Sequence, residues 1–346
     1  MAFGFGETSA GWRRGFFWAI ASVLLTAFAP VSGGAAAERL VFVTDWTAQA
    51  EQGGFYQAQA EGLYAQKGLD LVIRQGGPQT NVAQLIAAGA VDLAIASNGA
   101  SVLNFVKEGA PVKAVMASFQ KDPTVLIAHP DQGIARPEDL KGRPILFSST
   151  SLTTLWPWLK LKYGFEDRQI RPYTFNLAPF LLDKGLVQEG YLGSEPYEIE
   201  REGGFKPVVF LLADFGYSGY SAMVVARTEV IEKHPEAVRA FVAASIQGWK
   251  DYLHGDPAPG NRLIKANNPE MTDALIASSI ATLKAHGIAE GGDGAKDHLG
   301  VMTDRRWQEF LAQAIAMGLA APGLDIRQGY SLDFLPAGSQ PPGDAH

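Results

Sequence analysis

Cysteine is absent from the 346 residues, which removes disulfides, thiolate nucleophiles, zinc ribbons and cysteine-held iron–sulfur clusters. It also excludes a lipid-modified cysteine after the N-terminal apolar run. Basic clusters are missing too: 29 Lys and Arg face 36 Asp and Glu, a formal charge of -7. Phosphate backbones need clustered cations, so no nucleic-acid partner is expected. There is no Walker loop, Gly-x-Ser-x-Gly elbow, His-Glu-x-x-His or Rossmann fingerprint. The six histidines, His129, His234, His254, His286, His298 and His346, are dispersed without metal-ligand spacing and read as surface residues. These absences leave no expected cofactor or metal and no expected enzymatic activity.

What is present suits a two-lobed globular protein: 47% of residues are hydrophobic and 19% charged, over a length that can bury a large core. Arg13 and Arg14 precede an apolar run from Gly15 to Ala29, then Pro30 and the small residues up to Ala35-Ala36-Ala37. That layout predicts a cleavable signal peptide over 1–37 and a periplasmic location, by the Sec or the twin-arginine route. The apolar run is shorter than the ~20 residues of an ordinary membrane span.

From Glu38 onward, short apolar runs alternate with helical periods, the rhythm of parallel α/β layering. Strands are expected at Leu40–Thr44, Leu69–Arg74, Asp92–Ala96, Val112–Phe119, Thr124–His129, Arg143–Phe147, Val208–Leu212 and Ser221–Ala226. Helices are expected at Gly54–Tyr64, up to Ala88 after a cap at Thr80 or Asn81, at Gly99–Glu108 and from Ser148 to Tyr163. A short helix starts at Pro137. After Ser221 the pattern is almost wholly helical: Thr228–Tyr252, Thr272–His286 and Asp304–Met317. Such helices need a sheet to cover, which returns the chain to the first lobe. The predicted organisation is lobe 1 over 38–120 plus 220–335, lobe 2 over 121–219, two crossings with a ligand cleft between them, and a disordered tail over 336–346.

Several separated blocks carry a resemblance: Asp45-Trp46-Thr47, Gly54-Phe55-Tyr56, Gly62-Leu63-Tyr64, Lys67-Gly68-Leu69-Asp70, Gln84 to Asp92, Glu108 to Val112 and Asp139 to Gly142. In this order they resemble the NMT1/THI5-like (SsuA/THI5) family of ABC-transporter substrate-binding proteins, nearest to the binders of thiamine pyrimidine precursors. The resemblance implies a type II periplasmic-binding-protein fold, two α/β lobes that close on a small-molecule ligand, delivery to an inner-membrane permease, and a monomer. Two other functions remain open: a binder of alkanesulfonate- or nitrate-like anions, and a pyrimidine synthase of thiamine biosynthesis. The yeast-type synthases of this family use a lysine-bound pyridoxal phosphate, a histidine and a cysteine-rich iron site. Here the lysine and histidine positions read Ala96 and Ala100. The precursor binders usually carry a histidine where this chain has Glu51-Gln52-Gly53.

A flat ring needs stacking faces with a few donors and acceptors at its edge. Trp46, at the C-terminal end of the first strand, lies where open α/β sheets place ligands. Trp156, Tyr191, Tyr197 and Tyr217 fall in or near the cleft loops. Asn98 and Asn176 offer amide edges or helix caps. Glu195 and Asp214 offer carboxylates, which could equally complement helix dipoles. Gly54, Ser149 and Thr150 mark helix N-termini that could receive an anion or simply cap.

Overall fold

Runs of Val, Ile, Leu and Ala bounded by glycine or polar turns become strands, and two five-stranded sheets result. The computed structural model describes residues 37–291 and 299–337 together with Met1. The signal-peptide and tail expectations therefore fall almost wholly outside the described residues, as do His298 and His346. The first sheet contains β1 (Glu38–Val43), β2 (Leu69–Arg74), β3 (Leu93–Asn98), β4 (Val112–Phe119) and, much later in the chain, β10 (Ser221–Arg227). The second contains β5 (Thr124–Ala128), β6 (Ile145–Phe147), β7 (Ile170–Pro172), β8 (Val187–Tyr191) and β9 (Val208–Leu211). Their orders, β2-β1-β3-β10-β4 and β7-β6-β8-β5-β9, follow one layout. β5 is buried at every residue, as a strand covered on both faces must be.

The expected parallel layering holds only in part. β1 is parallel to β2 and β3, but β10 runs antiparallel to β3 and β4, and β5 antiparallel to β8 and β9. The crossings explain it. β4 ends at Phe119 and β5 starts at Thr124, so the chain enters the second sheet at the edge facing the first and has to run away from it. The return over residues 212–220 imposes the same direction on β10.

Three expected helices are broken. Gly62 adopts a left-handed φ of 70° and divides the first into Gly53–Ala60 and Leu63–Gln66. Pro235 separates Thr228–Lys233 from Pro235–His254, because it lacks an N–H and disfavours helical geometry at His234. The segment after Ser148 is a 3-10 turn over Thr150–Leu152, and the α-helix begins only at Trp156. His129 is not a surface residue: it is buried, stacked between Phe180 and Phe205 at 4.4 and 4.5 Å, with Nε2 2.7 Å from the Phe180 carbonyl.

Beneath the first sheet, helix Pro235–His254 packs on helix Gly53–Ala60 through Phe42, Phe55, Phe241 and Trp249, with Phe42 and Phe55 centroids 4.8 Å apart. Phe147, Trp156, Trp158 and Phe165 belong to a separate cluster in the second.

Arg306, from helix Asp304–Ala316, ties the crossings together. Its guanidinium donates to Gln120 Oε1 at 3.0 Å, to the Gln120 carbonyl and to the Gly219 carbonyl at 3.2 Å, and lies 4.2 Å over the Tyr220 ring. Charge-assisted bonds of this kind contribute about 1.5–3 kcal/mol each. Arg306→Ala is expected to destabilise the protein by about 2–3 kcal/mol and to accelerate amide hydrogen exchange in residues 119–123 and 219–221. Unchanged exchange there would contradict the role.

Candidate functional site

The facing edges of the two sheets line a cavity of about 570 Å³. Asp45 and Trp46 extend from β1, Ile95 to Asn98 end β3, and Phe119 ends β4. Across from them stand Ser148 to Ser151 after β6 and Glu189 to Tyr191 of β8. Strand C-terminal edges supply such sites because side chains and loop amides converge there without closing the sheet.

One wall is aromatic. Trp46 meets Phe175 with ring centroids 4.3 Å apart, and Phe175 meets Tyr173 at 4.8 Å. Phe175 has φ 61° and Ala222, also in the wall, φ 46°. Such conformations are costly for residues with a side chain and gather at functional sites.

The remainder is acidic and hydroxylic. Asp45, Glu51, Glu108, Glu189 and Glu195 line the cavity, and no Lys, Arg or His is among the lining residues. Glu189 accepts from the Ser148 amide at 2.6 Å, from the Ser148 hydroxyl at 3.3 Å and from the Ser151 hydroxyl. Glu195 accepts from the Tyr191 amide and the Ser194 hydroxyl, both at 2.7 Å, and from the Tyr173 hydroxyl at 3.2 Å. Burial pushes the Asp45 carboxyl up to about 6 and that of Glu51 up to about 7, the latter helped by repulsion from Glu195 and Glu198. Burial likewise raises Glu189 to about 7 against its three donors. The Tyr191 phenol is held far above its ordinary range by burial and by Asp122, Asp45 and Glu51, so it is neutral.

Six of the residues singled out from sequence lie in the wall: Trp46, Asn98, Ser149, Thr150, Tyr191 and Glu195. Asn98 is largely committed, accepting from the amides of Ala100 and Ser101 and donating to the Tyr217 hydroxyl at 3.0 Å.

The other six lie elsewhere. Gly54 is covered by Trp249, and Trp156 is buried with Nε1 donating to Asp167 at 2.8 Å. Asn176 is exposed and accepts from the Ala178 amide, Tyr197 packs on the core, and Asp214 pairs with Lys121 at 2.6 Å. Tyr217 stands behind Asn98 against Trp158. Of the two expected anion sites, the one at Gly53 and Gly54 is covered, while at the other Ser149 and Thr150 line the cavity. The Ser148 amide is given to the chain's own Glu189, and Gly53 and Gly54 face Tyr252 and Trp249. Sequence reasoning did not single out Asp45, Tyr173, Phe175 or Glu189 as site residues, and noted Glu51 and Gln52 only as standing where the precursor binders usually carry a histidine. A glutamate inside the buried run Val187–Tyr191 was the available signal for Glu189.

Residues 49–258 match the family described as NMT1/THI5 like. The chain belongs to the NMT1/THI5-like family. A riboflavin-binding protein, RibY, from Chloroflexus aurantiacus is 27% identical over 298 residues, covering 82% of each chain. A 4-amino-5-hydroxymethyl-2-methylpyrimidine phosphate synthase from Schizosaccharomyces pombe is 24% identical over 251 residues, covering 65% of this chain and 72% of the synthase. Among solved structures, the periplasmic aliphatic sulphonate-binding protein SsuA of Escherichia coli superposes with a TM-score of 0.63 at 15% identity, over 85% of this chain and 92% of that one. The fold is that of the periplasmic binding proteins.

By name the relatives include both a binding protein and a synthase. Ala96 lies in the wall and Ala100 lines a smaller neighbouring cavity, and the main wall has no lysine to hold pyridoxal phosphate as an imine. Among the described residues no cluster of three His, Cys, Asp or Glu is placed to hold a metal ion.

Proposed function

We propose that the chain is the extracytoplasmic solute-binding component of an ABC importer, and that its solute is a planar heterocycle related to the thiamine pyrimidine precursors. On this reading it is a periplasmic monomer that closes around the solute, delivers it to an inner-membrane permease and leaves it chemically unchanged.

The observation that carries the reading is the pairing of the Trp46–Phe175 wall with a hydrogen-bonding acidic wall in one cavity between two sheets. At about 570 Å³, it falls within the range of small-molecule pockets. The names of the relatives, a riboflavin binder and a pyrimidine phosphate synthase, point to flat nitrogen heterocycles. A sulfonate or nitrate would meet carboxylates without a balancing cation, and Coulomb repulsion in a half-buried site opposes it.

Trp46→Ala is expected to weaken binding of riboflavin or 4-amino-5-hydroxymethyl-2-methylpyrimidine about thirtyfold, the effect of losing a buried aromatic anchor worth about 2 kcal/mol. Titration calorimetry measures it, alongside ethanesulfonate and nitrate. Tighter binding of either anion than of both heterocycles would overturn the reading.

A further inference from the structure

The two crossings join the sheets through the chain itself. A second join is made by side chains. The turn 192–194, between β8 and helix Glu195–Gly203 in the second-sheet half, is gripped by two residues of the first-sheet half. Ser279, from helix Asp273–Ala285, donates from Oγ to the Gly193 carbonyl at 2.6 Å. Glu51, from the 3-10 turn Ala50–Gln52 that packs on that helix, stands on the other side: a Cβ on Gly193 would lie 2.3 Å from Glu51 Oε1. With Ser279 1% exposed and Glu51 2%, the turn seals both from water. Neither Gly193 nor Ser279 lines the cavity, so their contact acts on the join between the halves.

The grip is reversible by construction. The Ser279 hydroxyl also has the Leu275 carbonyl of its own helix within 3.0 Å, so it can let go of Gly193 without being left unpaired. Glu51 makes the grip conditional. Its Oε1 is buried without a hydrogen-bond partner, and facing it from the second-sheet half are the carboxylates of Glu195 and Glu198 and the Tyr191 phenol, with the Tyr252 phenol on its own side. Both phenols are kept neutral by burial. The other charges of the packed elements are engaged or remote: Asp273 pairs with Lys265 at 2.5 Å, Arg201 with Glu202 at 2.6 Å, Asp45 is bonded by Gln52, and Lys284 is exposed.

We infer that the Gly193 turn is a releasable clasp between the two halves, held by Ser279 and opened by ionisation of Glu51, so that residues outside the cavity set how long it stays shut. Protonated, Glu51 is a neutral group seated against the turn. Ionised, it is a buried charge facing two more carboxylates across the join, and withdrawal of the turn both hydrates it and separates the like charges. The sign follows from the same groups. Burial, with repulsion from Glu195 and Glu198, pushes the Glu51 carboxyl from 4.5 up to about 7, so the clasped form holds a proton that the released form gives up. Clasping is favoured at low pH and is lost as the pH rises through about 7.

The test uses the ligand-free full chain, with amide hydrogen exchange and small-angle scattering at about pH 5 and about pH 8. In wild type, protection factors over residues 191–195 and 275–280 are expected to be at least about tenfold lower at the higher pH, with a larger radius of gyration. Glu51→Gln should keep the low-pH protection and radius at both. Ser279→Ala should lose about fivefold in protection over residues 191–195 at both pH values, while residues 119–123 and 219–221 in the crossings stay as in wild type. A wild type that is the same at both pH values overturns the inference without any variant, as does a Glu51→Gln protein that still loosens at high pH. Ser279→Ala overturns it by showing no change, which means no grip, or by loosening the crossings equally, which means a general loss of stability. No solute is added, so the result is independent of which molecule the cavity takes.

Discussion

Gly54→Val lowers the unfolding free energy by at least about 3 kcal/mol, read as a loss of cooperative melting near physiological temperature by far-ultraviolet circular dichroism. A Cβ on Gly54 would stand 2.2 Å from Trp249 Cγ, and on the opposing helix a Cβ on Gly248 would stand 2.3 Å from the Gly54 carbonyl. Glycine on both sides lets helices Gly53–Ala60 and Pro235–His254 meet backbone to ring. Trp249 is fully buried beneath the first sheet and has nowhere to move, since packed interiors transmit rather than absorb such overlap. A β-branched residue inside a helix adds a further few tenths of a kcal/mol. Gly109→Ala is the control. With φ 65° and no atom within 4 Å of an added Cβ, it carries only the left-handed backbone penalty, about 1 kcal/mol. A Gly54→Val protein that melts like wild type would show that the helices can separate without loss, and the account of this core would fall.

Raising the pH from about 4.5 to about 7.5 destabilises the ligand-free protein. The unfolded chain releases the protons of Asp45, Glu51 and Glu189 near the ordinary carboxylate values of 3.8 and 4.5, whereas the folded chain holds them to about 6 or 7. Between those limits the native state binds more protons than the unfolded state, so the unfolding free energy falls with rising pH and levels off above about 7. Each of the two glutamates contributes up to about 3 kcal/mol at ~1.4 kcal/mol per pH unit, an upper bound because the cavity admits water. Asp139, Asp167 and Glu229 behave oppositely, held low by the Ala135 amide, the Trp156 indole and Lys233 respectively. Their contribution is lost only as the pH falls below the usual carboxylate range, outside this window. Melting temperature followed from pH 4.5 to 8 should therefore decline, and Glu51→Gln should flatten the decline and melt no lower than wild type at pH 7.5. A wild-type curve that rises across the window would show these acids to be better solvated than their burial indicates.

Both expectations involve residues whose importance the sequence announces unevenly. Helix Gly99–Glu108 and strand Val112–Phe119 match the sequence reading to the residue, because the signals are local: Asn98 caps the helix, Gly109 takes the left-handed conformation that ends it, and Pro111 precedes the strand. Strand direction is not local. Whether β5 and β10 run with or against their neighbours depends on how short a crossing delivers them, and alternation of apolar residues looks the same either way. Aromatic residues show the same divide. Trp46 sits at a strand end, where position alone implies the cleft, while Trp156 opens a helix and Tyr217 lies in the loop after a 3-10 turn, and the facing of each depends on where those turns begin and end. The shift of that helix start from Ser148 to Trp156 was enough to put Trp156 in the core.

The amino-acid sequence by itself determined the fold class and the family, since both follow from short-range periodicity, capping and the order of motifs. Only the tertiary structure decided that the cavity is acidic with no Lys, Arg or His in its lining, that Phe175 rather than Trp156 faces Trp46, and that Glu51 Oε1 is buried without a donor. Those properties depend on which groups from distant parts of the chain come within hydrogen-bond reach, as Glu51 does with Gly193 and Glu189 with Ser148. Pairing and desolvation are set by three-dimensional neighbours, and no local pattern encodes them.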